Sequence, residues 1–83
     1  MKIQIRYFAS LREALGTPQE SWTTQATQVS DLRAELVARG GAYAEALASG
    51  RPVRVAVDQV MVANDAPLRD GAEVAFFPPV TGG

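Results

Sequence analysis

Two stretches in which apolar and polar residues alternate surround one stretch of helical periodicity, and this order restricts the possible folds most strongly. Residues 2–8 alternate, with one apolar face formed by Ile3, Ile5 and Tyr7. Residues 53–58 alternate in the same way. Between them, an apolar stripe at helical spacing predicts a main helix, and it is formed by Val29, Leu32, Leu36 and Val37. Strands that flank one dominant helix predict an α+β fold in which a mixed sheet packs on that helix.

Shorter elements complete this order. Residues 9–15 predict a short helix that stops at Gly16, and residues 20–24 predict a second strand, hairpinned on the first. Residues 42–47 predict further helical turns after Gly40-Gly41. The remaining strands are a short one around Val60 and Val62 and a last one over residues 73–77.

The ends of the main helix are predicted from side-chain chemistry. Thr27 and Ser30 are both candidate N-caps, because their hydroxyl groups can accept a hydrogen bond from a free amide of the first turn. Asp31 in the first turn and Arg39 in the last turn match the sign of the helix dipole.

The composition excludes several kinds of functional site. The 83 residues are enough for a single domain, residues 1–83, with one modest core. The chain has no cysteine and no histidine, so it lacks a thiolate nucleophile, the commonest general base and the commonest metal ligand. Its acidic residues are dispersed, which predicts no metal site. The net charge of −1 and scattered basic residues argue against nucleic-acid binding.

The sequence also predicts no membrane segment. The longest apolar runs are far shorter than the roughly 18 residues that a spanning helix needs. The first residues alternate between polar and apolar side chains and form no signal-peptide core. We therefore expect a cytoplasmic protein.

The last predicted strand contains two consecutive phenylalanines, which are expected on opposite faces of the sheet. Because side chains alternate along a strand, Phe76 is expected to point into the core and Phe77 outward. An outward aromatic residue is a candidate anchor for a partner, and we group Phe77 with Pro78, Pro79 and Val80 as candidate partner-binding residues. The alternative is a lone exposed apolar residue without a role.

The residues after this strand are predicted to form a flexible C-terminal tail, residues 78–83. Pro78-Pro79 cannot continue the pairing of the sheet and favours a stiff extended path. Gly82-Gly83 carries no Cβ, so it could enter a narrow channel and bend there. This arrangement predicts that the chemistry takes place on the terminal carboxylate, inside a partner.

Two segments resemble a known family, the ubiquitin-like sulfur carriers that form the small subunit of molybdopterin synthase. The C-terminal segment is Asp-Gly-Ala-Glu-Val-Ala-Phe-Phe-Pro-Pro-Val-Thr-Gly-Gly, residues 70–83, and the N-terminal segment is Ile-Arg-Tyr-Phe-Ala-Ser-Leu-Arg-Glu-Ala-Leu-Gly, residues 5–16. Val57-Asp58-Gln59 falls where the family commonly has Val-Asn-Gln. The resemblance implies a ubiquitin-like β-grasp fold, whose order of elements agrees with the one predicted above.

The resemblance also implies a reaction cycle. An ATP-dependent adenylating enzyme would activate the carboxylate of Gly83, and sulfur from a donor protein would then replace the adenylate to give a thiocarboxylate. The tail would insert into the large subunit and give its sulfur to a pyranopterin precursor, with Gly82 and Thr81 providing access. The chain would bind no cofactor and would be no enzyme by itself. The family assembles as a heterotetramer.

Three other functions remain open from the sequence. A sulfur carrier for thiazole synthesis would share the fold and the activated diglycine. A ubiquitin-like modifier would instead form an isopeptide bond with lysines of other proteins. A binding module would use the domain alone and give the tail no chemistry.

Overall fold

The computed structural model describes residues 1–79, and in this part of the chain it contains five strands and three helices. In chain order the elements are β1 (Lys2–Tyr7), α1 (Ala9–Leu15), β2 (Gln19–Thr23), α2 (Val29–Val37), α3 (Gly41–Leu47), β3 (Arg54–Val57), β4 (Val60–Val62) and β5 (Glu73–Phe77). Every helix and strand predicted from periodicity is present. Their ends differ from the prediction by one or two residues.

The strands form a single mixed sheet in the order β2-β1-β5-β3-β4. The two central strands, β1 and β5, are parallel, with Tyr7 opposite Phe76, and all other neighbours are antiparallel. The first and last strands in sequence therefore lie side by side at the centre. This topology confirms the predicted α+β class and places the end of β5 between two paired strands.

The core lies between one face of the sheet and the helices. It includes the apolar face of β1 and the helical stripe predicted from the sequence, and its completely buried members are Ile3, Ile5, Val29, Leu32, Leu36, Leu47, Val74 and Phe76. The inward orientation predicted for Phe76 is thus confirmed. Tyr7 stacks on Phe76 with ring centroids 6.2 Å apart, which joins the two central strands through their side chains.

The prediction of an N-cap at Thr27 or Ser30 is wrong. The N-cap residue of α2 is Gln28, which has an extended backbone and makes no capping hydrogen bond with its side chain. The amides of Val29 and Ser30 instead donate to the carbonyl oxygens of Ala66 and Asn64, at 3.0 and 2.8 Å. A distant loop therefore satisfies the helix terminus, so no local side chain is needed.

The position predicted for Arg39 is also wrong, because α2 ends at Val37 and has no basic residue in its last turn. The Arg39 guanidinium pairs with Glu20 on β2 at 3.0 Å. It also lies 3.8 Å from the ring centroid of Tyr43 and 4.8 Å from that of Trp22. Tertiary contacts with β2 and α3 decide where this side chain goes, not the dipole of its own helix.

Arg33 is the one buried charged residue of the described chain, and it fastens the end of α3 to α2. Its Nε donates to the carbonyl oxygen of Leu47 at 2.6 Å, and its Nη2 donates to those of Ala48 and Arg51 at 2.6 and 2.9 Å. These carbonyls lie at and beyond the end of the helix, where no intrahelical donor is available. Within residues 1–79, no helix is both long and apolar enough to cross a membrane.

Candidate functional site

The face of the sheet opposite the helices, here termed the open face, carries two small side chains at its centre, within a row of four cross-strand neighbours. The row runs across Arg6, Ala75, Ala56 and Met61 on β1, β5, β3 and β4, according to the registers of the strands. Ala56 and Ala75 are only 7% and 8% exposed, whereas Met61 is 52% exposed. The alanines therefore form a shallow floor between longer side chains.

Two phenylalanines meet on the open face where β5 ends. The rings of Phe8 and Phe77 pack edge to face, with centroids 6.2 Å apart and planes at 82°. Phe77 is half-buried, and Phe8 is 37% exposed. Together with the floor they form an apolar patch, which we term the open-face surface and define as Phe8, Ala56, Met61, Ala75 and Phe77.

Backbone contacts at the junction of β1 and α1 fix the position of Phe8. Its amide donates to the carbonyl oxygen of Phe76 at 3.1 Å, and its own carbonyl accepts from the amide of Leu11 at 3.1 Å. The next residue, Ala9, has a φ of 52°, a left-handed conformation that a non-glycine residue seldom adopts. Strain of this kind persists only where surrounding contacts enforce it. Phe8 is therefore held against β5 by the fold.

The start of β5 is fixed by the hairpin between β3 and β4. Asp58 and Gln59 form its turn with φ values of 49° and 70°, as a type I′ hairpin turn requires. The amide of Asp58 donates to the carbonyl oxygen of Glu73 at 2.8 Å, and the amide of Glu73 donates to Oδ1 of Asp58 at 3.0 Å. The strand that leads to the C-terminal segment is thus anchored at both ends.

A polar cluster joins β1 and β2 to the helices on the core side of the sheet. Tyr7 and Tyr43 donate to Oε2 of Glu20 at 2.7 and 2.9 Å, and Arg39 pairs with both carboxylate oxygens at 3.0 Å. Burial alone would raise the pKa of Glu20, but these hydrogen bonds outweigh it and hold the pKa below its usual value. Burial, and then the hydrogen bond to Glu20, raise the pKa of Tyr7. Every member of the cluster has a partner, which indicates a structural role.

The sequence-predicted site residues lie at and beyond the end of β5. Phe77 is on the open face. Pro78 and Pro79 are half-buried and line a groove of about 290 Å³ beside α1, which contributes Ser10, Leu11 and Ala14. Val80, Thr81, Gly82 and Gly83 lie outside the described residues, so their predicted roles stay predictions.

Sequence reasoning missed Phe8 and Met61. The alternation that placed Phe77 outward also places Phe8 on the same face as Arg6, and Met61 on the face opposite its two valine neighbours. The signal was therefore present, but the pairing of β1 with β5 is needed to bring the two phenylalanines together. Within residues 1–79, no three acidic side chains converge in a way that could hold a metal ion.

These features define a class of protein. A small β-grasp domain presents an apolar surface at the point where its last strand leaves the sheet. Glu20 and Glu35, the carboxylates whose pKa values are shifted, are occupied by hydrogen bonds within the fold. The class is therefore that of a small β-grasp domain with an apolar candidate binding surface at the end of its last strand.

Comparison with known proteins identifies the family. The sequence matches the ThiS family over residues 5–83, and the chain belongs to this family. It is 43% identical over 81 residues to the molybdopterin synthase sulfur carrier subunit of Escherichia coli, covering 98% of this chain and 99% of that protein. The family resemblance predicted from the sequence is thereby confirmed.

Two solved structures contain similar domains. One is the complex of subunits 1 and 2 of the molybdopterin-converting factor from Helicobacter pylori, with a TM-score of 0.66, 26% identity and full coverage of both chains. The other is the small archaeal modifier protein 1 of Haloferax volcanii, with a TM-score of 0.76 and 25% identity, covering 95% of this chain and 98% of that one. The ubiquitin-like β-grasp fold is therefore shared by proteins named for two different activities.

Proposed function

We propose that this protein is the sulfur carrier subunit of a molybdopterin synthase, with the carboxylate of Gly83 as its reacting group. One observation carries the proposal. The chain is similar along nearly its whole length to a protein of that name, and Phe77 of the open-face surface is followed directly by Pro78, Pro79 and a segment that contains Gly82-Gly83. Gly82 and Thr81 give access to the reacting group, and Val80 joins Phe77, Pro78 and Pro79 in binding the partner.

The chemistry starts from an unreactive anion. A terminal carboxyl group has a pKa of roughly 3.5, so at neutral pH it is a carboxylate and a poor electrophile. Attack of this carboxylate on the α-phosphorus of ATP, in a separate adenylating enzyme, gives an acyl-adenylate and releases pyrophosphate. Sulfide-level sulfur, released from the persulfide of a donor protein by a thiol reductant, then displaces AMP and leaves a thiocarboxylate on Gly83. The thiocarboxylate is a soft nucleophile and needs no base from this chain, which has no histidine or cysteine to offer.

The transfer step requires a partner. The thiocarboxylate enters the large synthase subunit and gives its sulfur to a pyranopterin precursor, and two such transfers build the dithiolene. The catalytic side chains belong to the large subunit in this proposal, and the assembly is a heterotetramer with two carrier chains. The open-face surface binds the large subunit while the tail occupies its channel. The Helicobacter pylori structure, a complex of subunits 1 and 2, supports the pairing of the carrier with a large subunit.

Intact mass spectrometry tests the activation step. We expect incubation with ATP, a sulfur donor and the cognate adenylating enzyme to add the mass difference between one sulfur and one oxygen atom.

Deleting Gly83 should abolish pterin conversion by the large subunit while leaving the unfolding transition unchanged, because the core is complete by Phe76. Near-normal conversion by the deletion variant would contradict the mechanism.

A protein modifier is the second candidate, and the similarity to the archaeal modifier protein favours it. The same incubation with a cell extract separates the two functions. A modifier would form isopeptide conjugates with lysines of other proteins, whereas a carrier accumulates as the free thiocarboxylate. A charged carrier that converts no pterin precursor with the large subunit would indicate a different sulfur pathway, such as thiazole synthesis.

A further inference from the structure

Two arginines border the open-face surface at the end from which the C-terminal segment leaves. The guanidinium carbon of Arg6 lies 5.1 Å from the ring centroid of Phe8. Arg54 is directly opposite Phe77 in the antiparallel pairing of β3 with β5, so the two side chains share a face. Both arginines are exposed. The apolar patch is thus flanked by a positive charge on each side.

Three other arginines are engaged by hydrogen bonds within the fold. Arg33 is held by backbone carbonyls, Arg39 pairs with Glu20, and Arg51 donates to the carbonyl oxygen of Glu45. Arg6 and Arg54 have neither an ion pair nor a hydrogen bond from their guanidinium groups within residues 1–79.

The acidic residues of the open face lie toward its other end. Glu73 begins β5 opposite Gln4, and Asp58 bonds to Glu73 in the adjoining turn. Along β5 itself, the open face therefore changes from an acidic residue, Glu73, to the level of the two arginines, while Lys2 on β1 places one positive charge near the start of β5. A partner that binds this face meets positive charge beside the base of the tail.

Burial of the open-face surface imposes a condition on the partner. Covering Phe8 and Phe77 removes water from Arg6 and Arg54 as well, because Arg6 lies over the ring of Phe8 and Arg54 is the cross-strand neighbour of Phe77. A dehydrated guanidinium is costly unless new hydrogen bonds or opposite charges replace its water. The part of this chain that the structure describes supplies neither, and in the proposed complex the tail occupies the channel of the large subunit, which leaves the partner surface as the source.

We infer that Arg6 and Arg54 are specificity-determining residues. Each forms an ion pair with a carboxylate of the large synthase subunit, one on either side of the apolar contact. This inference rests on the proposed function and deepens it, since it assigns the chemistry of the partner surface. The carboxylates would lie at the mouth of the channel that takes the tail. Complementary charges accelerate association and fix the orientation of the two surfaces, and orientation decides whether the tail meets the channel.

Binding kinetics with the large subunit encoded in the same genome test the inference. We expect the double variant Arg6→Glu/Arg54→Glu to associate at least about tenfold more slowly than the unmodified chain at low ionic strength. The association rate of the unmodified chain should fall as salt is added, and that of the double variant should fall less or rise. Arg69→Glu is the matched control, because Arg69 is exposed beside Asp70, which bonds the opposite end of β1. It should leave the rate nearly unchanged.

The outcomes separate the inference from the function beneath it. The neutral variant Arg6→Gln/Arg54→Gln should give an intermediate rate, and the unfolding midpoint of each variant shows whether the fold is kept. If the unmodified chain does not bind the large subunit, the proposed function fails. If the unmodified chain binds but neither the double charge reversal nor added salt changes the association rate, the proposed function is kept. In that case the partner offers carbonyl groups or solvent to the arginines, and the inference is overturned.

Discussion

At the residue scale, Glu20 shows how one carboxylate can join three elements without taking part in chemistry. It lies on β2 and accepts hydrogen bonds from Tyr7 on β1 and Tyr43 on α3, while Arg39 after α2 pairs with it. The ionised carboxylate is the form that these donors favour. Stability should therefore depend on the protonation of this group.

We predict that the acid sensitivity of the fold falls when Glu20 becomes glutamine. Because the pKa of Glu20 is lower in the folded chain, its stabilising contribution is complete above the unfolded pKa of roughly 4.3 and is lost as pH falls through the folded value. Glu20→Gln should therefore be less stable than the unmodified chain at pH 7, and the difference should shrink as pH falls below the unfolded pKa toward the folded one. Urea unfolding at several pH values measures this difference.

The matched control for this prediction is Glu45→Gln, which removes the same charge from an exposed position of α3. It should change the free energy of unfolding little at any pH. A difference between Glu20→Gln and the unmodified chain that stays constant from pH 7 to pH 3 would contradict the electrostatic account. Packing or shape would then explain the loss.

At the scale of elements, the β3–β4 hairpin keeps a backbone conformation that its residues do not prefer. Asp58 and Gln59 both have positive φ, where glycine is favoured at the second turn position. We predict that Gln59→Gly raises the free energy of unfolding by about 0.5 kcal/mol, since relief of the left-handed conformation exceeds the added entropy of the unfolded chain. Thermal or urea unfolding measures the change.

The control variant Gln25→Gly separates the relief of backbone strain from the added entropy of the unfolded chain. Gln25 is also an exposed glutamine outside the strands and helices, but its φ is not positive. Glycine there adds only unfolded-state entropy and should destabilise the protein by several tenths of a kcal/mol. Equal destabilisation by both substitutions would show that the hairpin turn carries no strain.

The same scale shows what the sequence could and could not predict. Periodicity located each strand and helix, because the apolar side of β1 and the stripe of α2 are local patterns of 2.0 and 3.6 residues. The N-cap of α2 and the position of Arg39 were predicted wrongly, since the loop at Asn64 and the carboxylate of Glu20 reach them from far along the chain. The sequence predicted only part of the open-face surface. Phe77 followed from alternation, but its contact with Phe8 depends on strand pairing.

At the scale of the whole molecule, the two faces of the sheet have different roles. The inner face buries Phe76 and holds the fold together, and the open face presents Phe77 one residue later. The end of β5 is therefore both anchored in the core and available to a partner. A change at Phe77 should affect association with the large subunit much more than it affects folding.

We predict that Phe77→Ala weakens binding to the large subunit by roughly 2 kcal/mol, about a 30-fold rise in Kd, because an aromatic anchor at the centre of an interface is lost. Stability should fall less, since Phe77 is only half-buried and contacts Phe8 on the open face. Calorimetric titration and urea unfolding on the same samples compare the two effects. Val60→Ala truncates a side chain that is 63% exposed on β4 and lies outside the open-face surface, so its Kd should be unchanged. An unaltered Kd for Phe77→Ala would remove Phe77 from the interface and leave it as a surface residue that supports the end of β5.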